Sequence, residues 1–306
     1  TAAMTDGTGL VNFAKTFPGR FADVGICEQF AVSFAAGMAK AGHIPAVVIY
    51  STFLQRAYDQ IEHDVALQRL PVRFFLDRGG IVGEDGPTHH GVFDIAYLRH
   101  IPNMVLMIPK DENELQHMVS TSLAHNEGPS AVRFPRGAGL GVTLEDPLKT
   151  IPIGRGEVVW RSGAGKSEPH YRILLIGVGP FVKTCEKAAA TLAAEGFGAT
   201  VINARFVKPL DRDLLCDEIP KADLIITMED GARMGGFGSA VAEFMQDENI
   251  QRPLKILGWP DRFIEHGARP LILERYGLDA KSVCQLVRDR FPAAVAWAPS
   301  VTPVVA

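Results

Sequence analysis

Residues 45–77, PAVVIYSTFLQRAYDQIEHDVALQRLPVRFFLD, decide the fold. The stretch opens with an apolar, β-branched run through Val47, Val48 and Ile49 that ends at Tyr50 and has the length of a strand. From Phe53 to Gln68 the period changes. Leu54, Tyr58, Ile61 and Val65 recur at helical spacing, with Gln60, Glu62 and Asp64 between them, which marks an amphipathic helix. LPVRFFLD (70–77) then reads as a second buried strand. Strand, covering helix and strand in succession predict parallel pairing, because a crossover helix is what lets the second strand run the same way as the first.

The same alternation extends in both directions. MVLMI (104–108) and SAVRF (130–134) read as strands, and DENELQHMVSTSLAH (111–125) as a helix opened by acidic residues. From about 137 to 170 the pattern dissolves into Gly, Pro, Ser and Lys, a linker composition. The alternation then resumes. YRILLIGVG (171–179), ATVINARF (199–206), ADLIITME (222–229) and LKILGW (254–259) read as strands, and FVKTCEKAAATLAAE (181–195) and GSAVAEFMQDE (238–248) as helices. The expected fold is α/β, with two domains of mainly parallel sheet flanked by helices: 1–145, a linker at 146–169, and 170–306.

At 306 residues the chain is long enough for two domains. Its 47% hydrophobic and 22% charged residues are those of a soluble protein with a full core. A net charge of -4, with no basic run, argues against a nucleic-acid surface, and no apolar stretch is long enough to span a membrane. Cys27, Cys185, Cys216 and Cys284 lie far apart with no C-x-x-C pair, which points to reduced thiols in a reducing compartment. Because the first residue is Thr1, the chain is expected to be a piece of something longer.

Three places carry candidate chemistry. Glu28 heads the nearly uncharged run EQFAVSFAAGMA, whose apolar residues on almost every face predict a buried helix. It reads either as an acid stabilised by the helix dipole or as a buried carboxylate that holds a proton for a basic ring nitrogen. In YSTFLQRAYDQ, Tyr50 ends a strand while Phe53 and Arg56 open the next helix. Ligands of parallel sheets collect there, although Tyr50 and Phe53 could equally fill core, with Arg56 bonded to Asp59. The loop GEDGPTHHG holds Asp85, His89 and His90 and is either substrate-facing or a solvated turn. Adjacent histidines do not converge on one ion, so no metal ligand is assigned. LLIGVGP lacks the third glycine of a dinucleotide fingerprint. GGFGS (235–239) offers helix N-terminal amides to an anion, or simply packs tightly.

Together, FADVGICEQF, IYSTFLQRAYDQIEHDVALQRLPV, DRGGIVGEDGPTHHGVFD, PKDENEL, AVRFPRG and ARFVKPLD closely resemble the 1-deoxy-D-xylulose-5-phosphate synthases, transketolase-like thiamine-diphosphate enzymes. The resemblance runs in order through essentially the whole chain. It implies a transferase that joins pyruvate to D-glyceraldehyde 3-phosphate with loss of carbon dioxide, the product feeding isoprenoid, thiamine and pyridoxal phosphate synthesis. It further implies a pyrimidine-binding domain followed by a transketolase C-terminal domain, a homodimer, and the bacterial cytoplasm or plastid stroma. By the same resemblance Glu28 bonds N1' of the aminopyrimidine and Phe53 packs on that ring beside Arg56. Tyr50, Arg78 and Arg136 hold the aldehyde substrate, and Asp85 and His89 act near the reacting centre, with His90 as spacing.

This sequence departs from the family in reading Cys27-Glu28-Gln29-Phe30 where Ala-Glu-Gln-His is usual, and Asp-Arg-Gly-Gly where Asp-Arg-Ala-Gly is commoner. Phe30 is therefore expected to pack. The family's N-terminal domain, which holds Mg2+ and the diphosphate, has no counterpart in this sequence, so the chain alone is expected to be inactive. Two competing readings are the β subunit of a 2-oxo acid dehydrogenase or split transketolase, and a non-catalytic assembly subunit.

Overall fold

The apolar run that ends at Tyr50 forms the first strand, β1 (Ala46–Tyr50), in the computed structural model, which describes residues 1–162 and 169–292. LPVRFFLD supplies β2 (Arg73–Asp77), parallel to β1 with Tyr50 opposite Asp77. β3 (Val105–Met107) and β4 (Ser130–Arg133) complete the parallel part of a five-stranded sheet, and Leu76 of β2 lies opposite Arg133 of β4. The covering segment is helical but not uniform. Short α-turns at Ser51–Leu54 and Tyr58–Gln60 alternate with a 3-10 turn at Gln55–Ala57 and a π-helix at Ile61–Ala66. Leu54, Ala57, Ile61 and Val65 are nonetheless buried, since the tight 3-10 turn and the wide π turn together keep these side chains facing the sheet.

In the second half β5 (Glu157–Arg161), β6 (Arg172–Gly177), β7 (Gly198–Asn203), β9 (Leu224–Ala232) and β10 (Leu254–Trp259) build a second sheet in the order β10-β9-β6-β7-β5. All its pairs are parallel except β5 against β7. The observed class is two mainly parallel α/β sheets with flanking helices. Two sequence expectations are revised. The stretch expected to be a linker holds the edge strand β5, while its residues 163–168 lie outside the described residues. ATVINARF is two strands rather than one: β7 ends at Asn203, and β8 (Phe206–Lys208) pairs antiparallel with β3 in the first sheet. The break falls at Arg205, whose φ of 58° leaves the extended region and whose Nε donates to Glu114 at 2.7 Å.

The two sheets share one continuous core. Ile49, Phe74 and Leu76 belong to the same buried cluster as Leu174, Ile176 and Ile202. The helix Glu28–Lys40 buries Ala31, Val32, Ala35, Ala36 and Ala39. Its other face is open, with Phe30 57% exposed and stacked on Phe34 at 5.7 Å. Phe30 stacks on its neighbour one turn away, and the helix is not buried all round as its composition predicted.

Candidate active site

Three parallel strands end side by side, and the residues that follow them meet. Tyr50 closes β1, Arg78 follows Asp77 at the end of β2, and Arg136 lies three residues beyond the end of β4. The guanidinium of Arg78 sits 3.7 Å from the centre of the Tyr50 ring. The Arg78 backbone has a φ of 60°, a conformation that an arginine adopts only when its surroundings fix it. Here Asp77 accepts from the Arg78 backbone N–H at 2.6 Å and from its Nη1 at 2.5 Å, and the Gly7 carbonyl accepts from Nη1 at 2.8 Å. Burial pushes the Asp77 carboxyl upward from its ordinary value, and the Arg78 charge partly offsets this. Burial also raises the Tyr50 phenol. Gly7 must be a glycine, because a Cβ there would stand 2.0 Å from the Tyr50 hydroxyl.

A second group adjoins the first through rings. Tyr50 stacks on Phe53 at 5.5 Å, and Phe53 meets the edge of His89 at 5.6 Å. The Arg56 guanidinium lies 5.4 Å from the Phe53 ring centre and donates to Oε1 of Glu28 at 3.3 Å. Asp59, the alternative partner for Arg56, instead takes His63. Glu28 is 3% exposed at the first turn of its helix. Among the described residues it accepts a single hydrogen bond, so a nearly buried carboxylate retains acceptor capacity beside an aromatic face. That arrangement fits an aminopyrimidine: a carboxyl group for the basic ring nitrogen at Glu28 and a flat face for the ring at Phe53. Among the described residues no group of three His, Cys, Asp or Glu is placed to hold a metal ion.

Asp85 and Arg136 pair with each other at 2.9 Å, both partly exposed. His89 also shares a hydrogen bond with Thr88. Arg78 and Arg136 line a cavity of about 560 Å³ together with Lys110 and Arg269. Its lining includes neither Glu28, Phe53 nor His89. The structure thus gathers the eight candidate residues into two adjoining sets, a carboxylate with aromatics and a cavity with cations.

Sequence reading missed three features. His90 is not spacing: it is buried, accepts from the Val82 N–H through Nδ1 at 3.2 Å, and lies 3.3 Å from the Glu265 carbonyl through Nε2. Lys110, which lies within PKDENEL, and Arg269, which lies in none of the family-like motifs, join the cavity although neither was assigned a role. The amides before GSAVAEFMQDE take no free anion, because the buried Glu229 carboxylate already accepts from the Phe237 and Gly238 N–H groups. Alternation of apolar and polar positions carries no signal for such long-range partners.

With this geometry in hand, comparison with known proteins gives the lineage. Residues 1–140 match the family model for the transketolase pyrimidine-binding domain, and residues 164–283 that for the transketolase C-terminal domain. The chain belongs to the transketolase family. Its curated relatives include the 1-deoxy-D-xylulose-5-phosphate synthases of Heliobacterium modesticaldum, 52% identical over 98% of this chain, and Pelotomaculum thermopropionicum, 55% identical over 95%. The aligned region is 46% and 44% of those proteins, so the chain spans under half the length of the curated relatives it matches. A solved split gene transketolase, described as an inactive beta4 tetramer, superposes with a TM-score of 0.81 at 29% identity, covering 97% of this chain and 91% of that one.

Proposed function

We propose that this chain is the pyrimidine-binding and C-terminal portion of a 1-deoxy-D-xylulose-5-phosphate synthase, a thiamine-diphosphate-dependent transferase that condenses pyruvate with D-glyceraldehyde 3-phosphate. The observation that carries the reading is the convergence of Tyr50, Arg78 and Arg136 at the ends of three parallel strands, next to a buried Glu28 with acceptor capacity to spare. The relatives at 52% and 55% identity supply the particular reaction.

Each residue then has a physical task. Glu28 shares a proton with N1' of the pyrimidine, and its burial makes that exchange effective where an exposed acid would be diluted by water. Phe53 gives the ring a flat apolar surface, with Tyr50 behind it. Arg56 holds Glu28 in place. Arg78 and Arg136 present planar donor forks suited to the aldehyde's phosphate, in a cavity whose lining adds Lys110 and Arg269 as well as Asp77, Asp111 and Glu112, so the phosphate would compete with carboxylates for these cations. Asp85 and His89 stand on the intervening loop, placed to orient substrate and to move a proton at the aldehyde oxygen. Bound thiamine diphosphate would supply the carbon nucleophile and electron sink, while the protein supplies placement and proton control.

The diphosphate and Mg2+ are assigned to a further domain, on whichever polypeptide carries it. The open aromatic face of Phe30 and Phe34 beside Glu28 supports a protein partner there, another domain or a second copy, and the assembly is proposed to be a homodimer. Titrating thiamine diphosphate and Mg2+ into the chain alone, and into the chain mixed with the diphosphate-binding domain of a relative, tests the scheme. Binding and release of carbon dioxide from pyruvate are expected only in the mixture. Turnover that proceeds equally with no phosphorylated aldehyde acceptor would favour a 2-oxo acid dehydrogenase subunit.

A further inference from the structure

The loop that carries Asp85 and His89 leaves β2 at Arg78 and returns at Gly91. Gly80 and Gly91 close its neck through mutual N–H to carbonyl bonds of 2.7 and 2.9 Å. Beyond that neck Thr52 and Arg136 hold it from the first half of the chain, and its backbone is bonded further by the second half. Oδ1 of Asp230, 149 positions away, accepts from the Ile81 N–H at 3.1 Å. The same oxygen accepts from the Trp259 indole at 2.8 Å, and Oδ2 accepts from Arg269 at 2.7 Å. The Gly83 carbonyl accepts from the Gly267 N–H at 3.2 Å, and the Val92 carbonyl from the Ala232 N–H at 2.7 Å. His90 spans the gap. Because its Nδ1 accepts from Val82, its Nε2 carries the proton and donates to the Glu265 carbonyl. Gly80 lies so close to Asp230 that a Cβ on it would stand 2.1 Å from the carboxylate carbon.

We propose that Asp230 and His90 are positioning residues for the reaction, through which the second sheet and the segment 263–269 set the place of Asp85 and His89. The inference rests on the proposed function for the meaning of "reaction", but not for the geometry. Both groups are buried and bond the loop's own backbone, and Asp230 also holds Arg269 at the cavity wall. A loop rich in glycine and exposed at Glu84, Asp85, Pro87 and Thr88 is held near its tip, besides these, by side chains from the first half of the chain, Thr52 on the Thr88 carbonyl and Arg136 on Asp85. Its tip therefore inherits its position from elements distant in sequence, as catalytic loops on rigid scaffolds do.

The experiment uses His90→Ala, His90→Asn and Asp230→Ala. Amide hydrogen exchange on this chain is read at peptides covering 78–93 and at control peptides in β6 and β7. For His90→Ala and Asp230→Ala, exchange in the loop is expected to rise about tenfold, the loss of one buried hydrogen bond, with the controls unchanged. His90→Asn, which keeps an acceptor near the Nδ1 position, should recover most of the protection. In the complete enzyme the same two variants should lower kcat by at least about tenfold, with little change in the KM for pyruvate. Unchanged loop exchange, or an equal rise across β6 and β7, overturns the positioning role. Faster loop exchange in a protein whose complete form shows no synthase activity would overturn the proposed function and leave the tether standing.

Discussion

Replacing Arg136 by Ala separates substrate recognition from folding, because the structure makes the two effects unequal. The Arg136 side chain is 41% exposed and its partner Asp85 36% exposed. An ion pair so open to water contributes about 0–1 kcal/mol, and Asp85 left alone can be hydrated. The melting temperature should therefore stay close to that of the parent. A guanidinium facing a phosphate in a half-enclosed cavity is worth more, about 1.5–3 kcal/mol for a charge-assisted hydrogen bond. That corresponds to a loss of roughly 10- to 150-fold in kcat/KM. The assay is steady-state kinetics of the complete enzyme with D-glyceraldehyde 3-phosphate and, in parallel, with unphosphorylated D-glyceraldehyde. The loss should fall on the phosphorylated acceptor and leave the KM for pyruvate nearly unchanged. Equal losses with both aldehydes would refute the phosphate assignment, whatever the size of the effect.

Other substitutions probe different parts of the molecule. Glu28→Ala should leave the thermal unfolding of the chain nearly intact, yet abolish exchange of the C2 proton of thiamine diphosphate bound to the complete enzyme; undiminished exchange would remove Glu28 from the scheme. Arg133→Met should destabilise the fold by about 3–5 kcal/mol, since Arg133 and Asp94 pair at 2.8 Å with side chains only 2% and 0% exposed. Denaturant unfolding checks this, and adding Asp94→Asn should restore part of the loss. Burial pushes the Glu229 carboxyl up to about 7. The folded state then binds a proton that the unfolded state has released, so stability from this group is lost as pH rises from about 4.5 to about 7. The loss is on the order of 3 kcal/mol, and Glu229→Gln should flatten the unfolding free energy across that window relative to the parent.

Part of the site was legible in one dimension for a definite reason. A parallel strand must be followed by a turn into its crossover, so the residues just after Ile49, Leu76 and Val132 were bound to face a common edge once the strands paired. Tyr50, Phe53 and Arg56 are the residues that this rule singled out, and their side chains do adjoin. Glu28 stood out as the one acid heading an apolar run, and the structure buries it; the resemblance to a thiamine enzyme family added Arg78 and Arg136. His90 was read as spacing because its two partners, Val82 and Glu265, offer only backbone groups, and backbone groups leave no mark in a sequence.

The alternating hydrophobic pattern by itself determined two mainly parallel α/β sheets and the helices that cover them, since burying one face of each element dictates its period. What it could not determine was which distant segments would close on one another. The return of Phe206–Lys208 to the first sheet, the pairing of Arg56 with Glu28 rather than Asp59, and the hold of Asp230 on Ile81 were decided only in the folded molecule. Such contacts arise where elements far apart in the chain compete for the same buried donors and acceptors, and the winner is set by three-dimensional distance, a quantity that local spacing does not contain.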